Sequence, residues 1–207
     1  MRSHTTHDLP GRCRRCWLRE GFCICAEVPR VLTQTHVLLI RHERESFKST
    51  GTARVGQMAL PNSTLLDSGE ETSVTNAALV GRLEGASVLF PSEAPAPWPA
   101  GPIGTLVVLD GTWRQTRRMF AKLPALHGLP RLTLPPKTAP VLRLRSSTFS
   151  EGRSTLEAIA DALGILEGEA VAQPLHQLHT LYVERVFRAR GVWGLKRQPA
   201  LGGPGEA

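Results

Sequence analysis

A chain of 207 residues with 41% hydrophobic residues suits one globular domain plus a small appendage. Its longest apolar runs, Val37 to Ile40 and Leu106 to Leu109, fall far short of the ~20 residues needed to cross a bilayer, so no membrane span is expected. Arg2, His4, His7 and Asp8 interrupt the amino terminus where an export signal would be apolar, which points to the cytoplasm. The balance of 25 Lys+Arg against 18 Asp+Glu, a net charge of +7, fits either an acidic partner or a soluble basic surface.

The cysteines come first along the chain, as Cys13-x2-Cys16-x6-Cys23-x-Cys25. Cytosolic thiols stay reduced, so four clustered cysteines read as a tetrahedral structural zinc site, with an iron–sulfur cluster or a redox dithiol as alternatives. Four thiolate ligands leave no open position for a substrate. Gly11, Gly21 and Pro29 break up the surrounding segment, so metal would supply most of its folding energy. The domain reading is a zinc-binding module over 1–30, a main domain over 31–190 and a tail over 191–207.

Thr35 to Ile40 predicts a buried strand, followed by the polar stretch Arg41-His42-Glu43-Arg44-Glu45. Next, Lys48-Ser49-Thr50-Gly51-Thr52-Ala53-Arg54 reads either as an anion-binding loop or as a solvated turn. It lacks the spacing of a Walker loop. The helix that follows runs through Val55, Met58 and Leu60 and ends at Pro61. A second helix is predicted over Thr75 to Leu83 and a strand over Ser87 to Phe90, followed by a Pro/Ala-rich linker from Pro91 to Pro102.

Thr105 to Leu109 predicts the most apolar strand, and Asp110-Gly111-Thr112-Trp113 stands where it gives way to a helix over Trp113 to Leu123. A carboxylate at the carboxyl end of a buried strand faces the crevice where open α/β sheets bind ligands; Gly111 allows a tight turn and Thr112 can cap the helix. Trp113, Thr116, Phe120 and Leu123 share one face of that helix, while Arg114, Arg118 and Lys122 recur every four residues on another.

From Gly111 to Arg153 the basic residues are Arg114, Arg117, Arg118, Lys122, Arg131, Lys137, Arg143, Arg145 and Arg153, against Glu151 as the one acid. This basic block suits RNA or water equally. The stretch Pro124 to Arg153 is otherwise loop-rich, with a strand candidate at Val141 to Leu144. Ser154-Thr155-Leu156-Glu157 matches a capping box and opens a helix over Thr155 to Leu166, whose amino end suits an anion. A last helix is predicted from about Leu175 to Arg190. His176 and His179 share a face of it and, lacking a third ligand, read as surface or packing histidines. The tail beyond Trp193 is expected to be disordered.

The cysteine module, Thr50-Gly51-Thr52-Ala53-Arg54, Leu89-Phe90-Pro91-Ser92, Asp110-Gly111-Thr112-Trp113 and Ser154-Thr155-Leu156-Glu157-Ala158 occur in this order from Cys13 to Glu167. In this combination the chain resembles the DTW-domain proteins. The resemblance implies an α/β fold similar to the SPOUT-type RNA-modifying enzymes: a mostly parallel sheet flanked by helices, with a knotted cofactor region. It also implies S-adenosylmethionine as co-substrate and tRNA as partner, with the 3-amino-3-carboxypropyl group moved to a uridine.

On that reading Asp110 is the catalytic carboxylate. Leu89, Pro91, Ser92, Leu109, Gly111, Thr112, Trp113, Ser154 and Thr155 line the cofactor, while Lys48, Arg54, Arg114, Arg118, Lys122 and Arg145 contact RNA. The metal ligands are Cys13, Cys16, Cys23 and Cys25. Many relatives have His-Pro-Arg-Glu where this chain has His42-Glu43-Arg44-Glu45, so no role for that segment is carried over. An RNA methyltransferase with the same co-substrate and a non-catalytic zinc-dependent RNA-binding module are the competing readings.

Overall fold

The architecture is that of a computed structural model, which describes residues 11–48, 50–69, 81–136 and 152–191 together with Leu79 and Leu144. The expected helix over Thr75 to Leu83, the strand at Val141 to Leu144, Arg145 and the tail beyond Gly191 lie wholly or mostly outside these residues.

Five strands form one sheet: β1 (His36–His42), β2 (Ser63–Ser68), β3 (Ala86–Leu89), β4 (Thr105–Asp110) and β5 (Arg131–Leu132), in the order β2-β1-β4-β3-β5. Every pairing is parallel. The central strands β1 and β4 are the most apolar, as expected of strands covered on both faces. Sequence reading missed β2 and β5. The pattern of β2, Ser-Thr-Leu-Leu-Asp-Ser, is polar at both ends and only half-buried at the sheet edge, and β5 is two residues long.

Among the described residues four complete helices cover the sheet: α1 (Ala53–Ala59), α2 (Trp113–Lys122), α3 (Thr155–Glu167) and α4 (Glu169–Ala189). The alternation of β1 and β4 divides the core in two. Val37, Leu39, Leu106 and Val108 pack with Val55 of α1, Ile159 and Leu163 of α3, and Leu175 and Tyr182 of α4. On the other face Leu38, Ile40, Val107 and Leu109 pack with Met119 and Phe120 of α2. No helix among the described residues is long and apolar enough to cross a membrane.

Between α3 and α4 stands Gly168, whose φ of +94° is open to glycine and strained for other residues. The last helix begins six residues before the expected Leu175. Pro174 lies inside it, and only the bond from its missing N–H is lost, to the carbonyl of exposed Ala170, which water can reach.

Residues 11–31 are packed onto the domain rather than hung from it. Cys16, Leu18, Ile24 and Val31 are buried in the same core cluster as α1, α3 and α4, and Arg185 of α4 donates to Glu27 at 2.7 Å.

Candidate active site and metal centre

The chain leaves β1 toward α1 on one face and leaves β4 toward α2 on the other, so the carboxyl ends of these neighbouring strands form a topological switch point, the usual ligand crevice of an open α/β sheet. Asp110 is the last residue of β4, and the register aligns it with Arg41 of β1, itself aligned with Asp67 of β2. Register partners in parallel strands share a face. Asp67, Arg41 and Asp110 therefore form a charged row on the α1/α3 side, closing the end of the apolar layer of Leu65, Leu39 and Val108. Arg41 is 5% exposed and forks onto Asp67 through Nε at 2.6 Å and Nη2 at 2.9 Å. This bidentate geometry offsets the burial of the guanidinium.

Asp110 is likewise 5% exposed, and the Thr155 hydroxyl donates to its Oδ1. The bond ties the Asp110-Gly111-Thr112-Trp113 turn to the amino terminus of α3, where the helix dipole favours a negative charge. Ser154 and Glu157 form the expected capping box: Ser154 Oγ accepts from the Glu157 amide at 3.3 Å, and Glu157 Oε2 accepts from the Ser154 amide at 2.9 Å. His179 Nε2 lies 3.4 Å from the same Glu157 Oε2, with both side chains buried. His179 is thus a packing histidine that braces the cap. The Leu156 amide donates to Thr52 Oγ1 at 3.1 Å, docking the start of α1 on the start of α3.

Thr112 caps α2 as expected and is completed by Gln115, whose Oε1 accepts from the Thr112 amide at 2.7 Å. A Cβ at Gly111 would stand 3.1 Å from Gln115 Cβ and 3.2 Å from its Oε1, so any other residue here would push on the Gln115 side chain that completes the cap. Trp113 stacks on Phe90, with ring centroids 5.4 Å apart at 23°, and Arg117 lies 5.5 Å over the indole. Phe90 stacks in turn on Phe120 at 4.7 Å. The Ser92 amide donates to Thr133 Oγ1 just beyond β5.

Leu89, Pro91, Ser92, Leu109, Gly111, Thr112, Trp113, Ser154 and Thr155 thus lie along one edge of the sheet, at the carboxyl ends of β3 and β4 and the start of α3. Within that set the Leu109 side chain is turned away, into the core under α2.

Of the cations singled out in the sequence, Arg114, Arg118 and Lys122 are exposed along α2. Lys48 pairs with buried Glu45. Arg54 is half-buried, with Nη2 donating to the Ser46 carbonyl at 2.9 Å and its guanidinium 5.0 Å from the Trp17 ring centroid. Sequence reading placed Arg41 in the polar stretch after the first strand, where the structure has it inside β1, named Phe90 within its loop motif without a role of its own, and passed over Gln115 and Trp17. The signal for Arg41 was a charged residue inside an otherwise apolar strand.

The four cysteine sulfurs lie within 4.8 Å of one another, Cys13 to Cys25 at 3.5 Å and Cys16 to Cys23 at 3.8 Å, all as free thiols. A zinc ion with Zn–S bonds of about 2.3 Å has tetrahedral S···S edges of about 3.8 Å, so the donor set fits that ion. Burial raises the Cys13 thiol, but the amides of Cys16 and Arg15 and the neighbouring thiols lower it to about 6. Burial pushes Cys16 and Cys25 up.

The model of the DTW domain matches residues 11–187, from the cysteine module through the buried positions of α4. The chain belongs to the DTW domain family. It is 29% identical over 191 residues to tRNA-uridine aminocarboxypropyltransferase 2 of Drosophila melanogaster, covering 83% of this chain and 76% of the fly protein. Proteins of the same name from Macaca fascicularis (27% over 196 residues) and Mus musculus (28% over 198) align with 86% of this chain. The chain spans about two thirds, 65%, of each of these mammalian relatives. No solved structure matches it. In this DTW domain the Asp and Thr of the family's motif are spent on the Thr155 bond and the α2 cap, and the Trp on the Phe90 stack.

Proposed function

We propose that this DTW domain transfers the 3-amino-3-carboxypropyl group of S-adenosylmethionine to N3 of a uridine in tRNA, in the variable loop, and releases 5′-methylthioadenosine. The observation that carries the reading is the joining of Asp110 to Thr155 at the switch point between β1 and β4, where the Asp110-Gly111-Thr112-Trp113 and Ser154-Thr155-Leu156-Glu157 motifs meet. The names of the relatives support the same activity.

Uridine N3 is an imide nitrogen that must lose its proton to become a nucleophile. Asp110 accepts or directs that proton, a contribution typically worth ~100-fold to 10,000-fold. Nitrogen then bonds to the methylene carbon attached to the sulfonium, the carbon–sulfur bond breaks, and its electron pair leaves with the neutral thioether. Thr155 holds the carboxylate in place, and the Phe90–Trp113 stack keeps the turn that carries it against the sheet. Arg114, Arg118 and Lys122 offer the outer face of α2 to phosphates.

Cys13, Cys16, Cys23 and Cys25 hold one structural zinc, which supplies folding energy and no chemistry to the substrate. A cluster of four cysteines suited to a metal is compatible with a reducing compartment, the cytoplasm. The all-parallel sheet, with Thr155 at the start of α3 bonded to Asp110 at the end of β4, supports a SPOUT-like arrangement, and the knotted cofactor region is what the family resemblance implies.

Mass spectrometry of the small-molecule product after incubation with S-adenosylmethionine and bulk tRNA tests the assignment. 5′-Methylthioadenosine and an aminocarboxypropylated uridine are expected. S-Adenosylhomocysteine would identify a methyltransferase, and bound tRNA without turnover a non-catalytic RNA module.

A further inference from the structure

Arg54 is a recessed cation whose surroundings suit a small acidic ligand better than a polynucleotide. Among the described residues no carboxylate closes on it; its partners are the Ser46 carbonyl and the Trp17 ring. Its neighbour Arg41 is already engaged through both arms of its fork by Asp67. Burial, and after it the like charge of Arg41, disfavours the charged form of Arg54, and the Asp67 carboxylate held by Arg41 compensates only in part, so an anion placed against Arg54 would offset the remaining penalty.

The platform beneath Arg54 is built by the cysteine module. Trp17 takes φ = +64°, a left-handed conformation rare for a bulky residue. It is held there because its amide donates to the Cys13 carbonyl at 2.9 Å and its own carbonyl accepts from Arg12 at 2.9 Å. The ring is 6% exposed and meets Phe47 edge-on at 6.1 Å. A strained residue locked by the knuckle thus presents an aromatic face to the first turn of α1, two residues from the Thr52 bond to α3.

We infer that Arg54, laid on Trp17 beside Arg41, binds the α-carboxylate of the amino-acid arm of the donor. The inference rests on the proposed use of S-adenosylmethionine. An RNA phosphate shares the oxyanion chemistry, but Arg114, Arg118 and Lys122 are exposed on α2 where a polynucleotide can reach them, whereas Arg54 is half-buried against the Trp17 ring. Trp17 acts as the positioning residue.

Calorimetric titration of the full chain with S-adenosylmethionine and with 5′-methylthioadenosine, which lacks the carboxylate arm, tests this. Arg54→Gln should weaken S-adenosylmethionine about 10- to 100-fold, the worth of a charge-assisted bond, and leave 5′-methylthioadenosine unchanged, which also reports an intact fold. Arg54→Lys should restore part of the loss. Trp17→Ala should reproduce a weaker version with the metal content unchanged, and Trp17→Phe should rescue it. Equal weakening of both ligands, or of neither, would overturn the carboxylate site. A loss confined to tRNA affinity and its salt slope would overturn it in favour of phosphate. Wild-type protein that binds neither nucleoside would overturn the proposed function itself, and the carboxylate site with it.

Discussion

Thr155→Val keeps the shape of the side chain and deletes the hydroxyl that donates to Asp110. The acceptor is a buried carboxylate at the end of β4, so the bond belongs to the charge-assisted class, at about 1.5 to 3 kcal/mol. For a domain of this size, a loss of about 2 kcal/mol lowers the melting temperature by roughly 4 to 8 °C. Asp110→Asn retains an oxygen for Thr155 but removes the charge. In that background the valine substitution should cost only what a neutral hydrogen bond contributes, about 0.5 to 1.5 kcal/mol. The double-mutant cycle should therefore show a coupling of about 1 kcal/mol.

Transfer should follow the same hierarchy. Asp110→Asn should lower turnover ~100-fold or more with the fold intact, and Thr155→Val should lower kcat/KM roughly tenfold through a loosened carboxylate. Thermal denaturation and a 5′-methylthioadenosine release assay at saturating tRNA measure the two sides. Thr155→Val protein with wild-type melting and turnover would refute the clasp. Near-normal turnover of Asp110→Asn would end the proton-acceptor role, and a defect confined to donor affinity would reassign Asp110 to binding.

Elemental analysis should find one zinc per chain, absent from Cys16→Ser. Because Cys16 lies fully buried beside Leu18 and Ile24 in the main core, that substitution should open residues 12–29 to proteolysis and lower the stability of the whole domain. Metal-free protein with full activity and unchanged melting would refute it. Removal of charge at Arg114, Arg118 and Lys122 should weaken tRNA binding whatever the sequence and reduce the salt slope by about 0.7 to 0.9 log units for each phosphate no longer neutralised, with donor binding preserved. An unchanged slope would make this face of α2 a solvated surface.

The elements readable in advance were those with strong local signals. β1 and β4 are apolar and β-branched enough to announce strands covered on both faces, and the Ser154–Glu157 capping box is a purely local pattern that starts α3 as expected. The four cysteines announced their cluster, a candidate metal site, through spacing and the lack of any other cysteine. The order of motifs placed Asp110 at a strand end beside a helix start. Tertiary structure decided which of these residues meet. Arg41 and Asp67 are 26 positions apart, Asp110 and Thr155 are 45, and Thr52 and Leu156 are 104. Only the parallel register of β2, β1 and β4 sets the charged row under α1 and α3. The contact of Trp113 with Phe90, brought alongside by the pairing of β3 with β4, was likewise set by tertiary structure. Local sequence specifies propensity and caps through neighbours a few residues away, whereas a site at a switch point is made by strand order, which depends on non-local pairing that no short window contains.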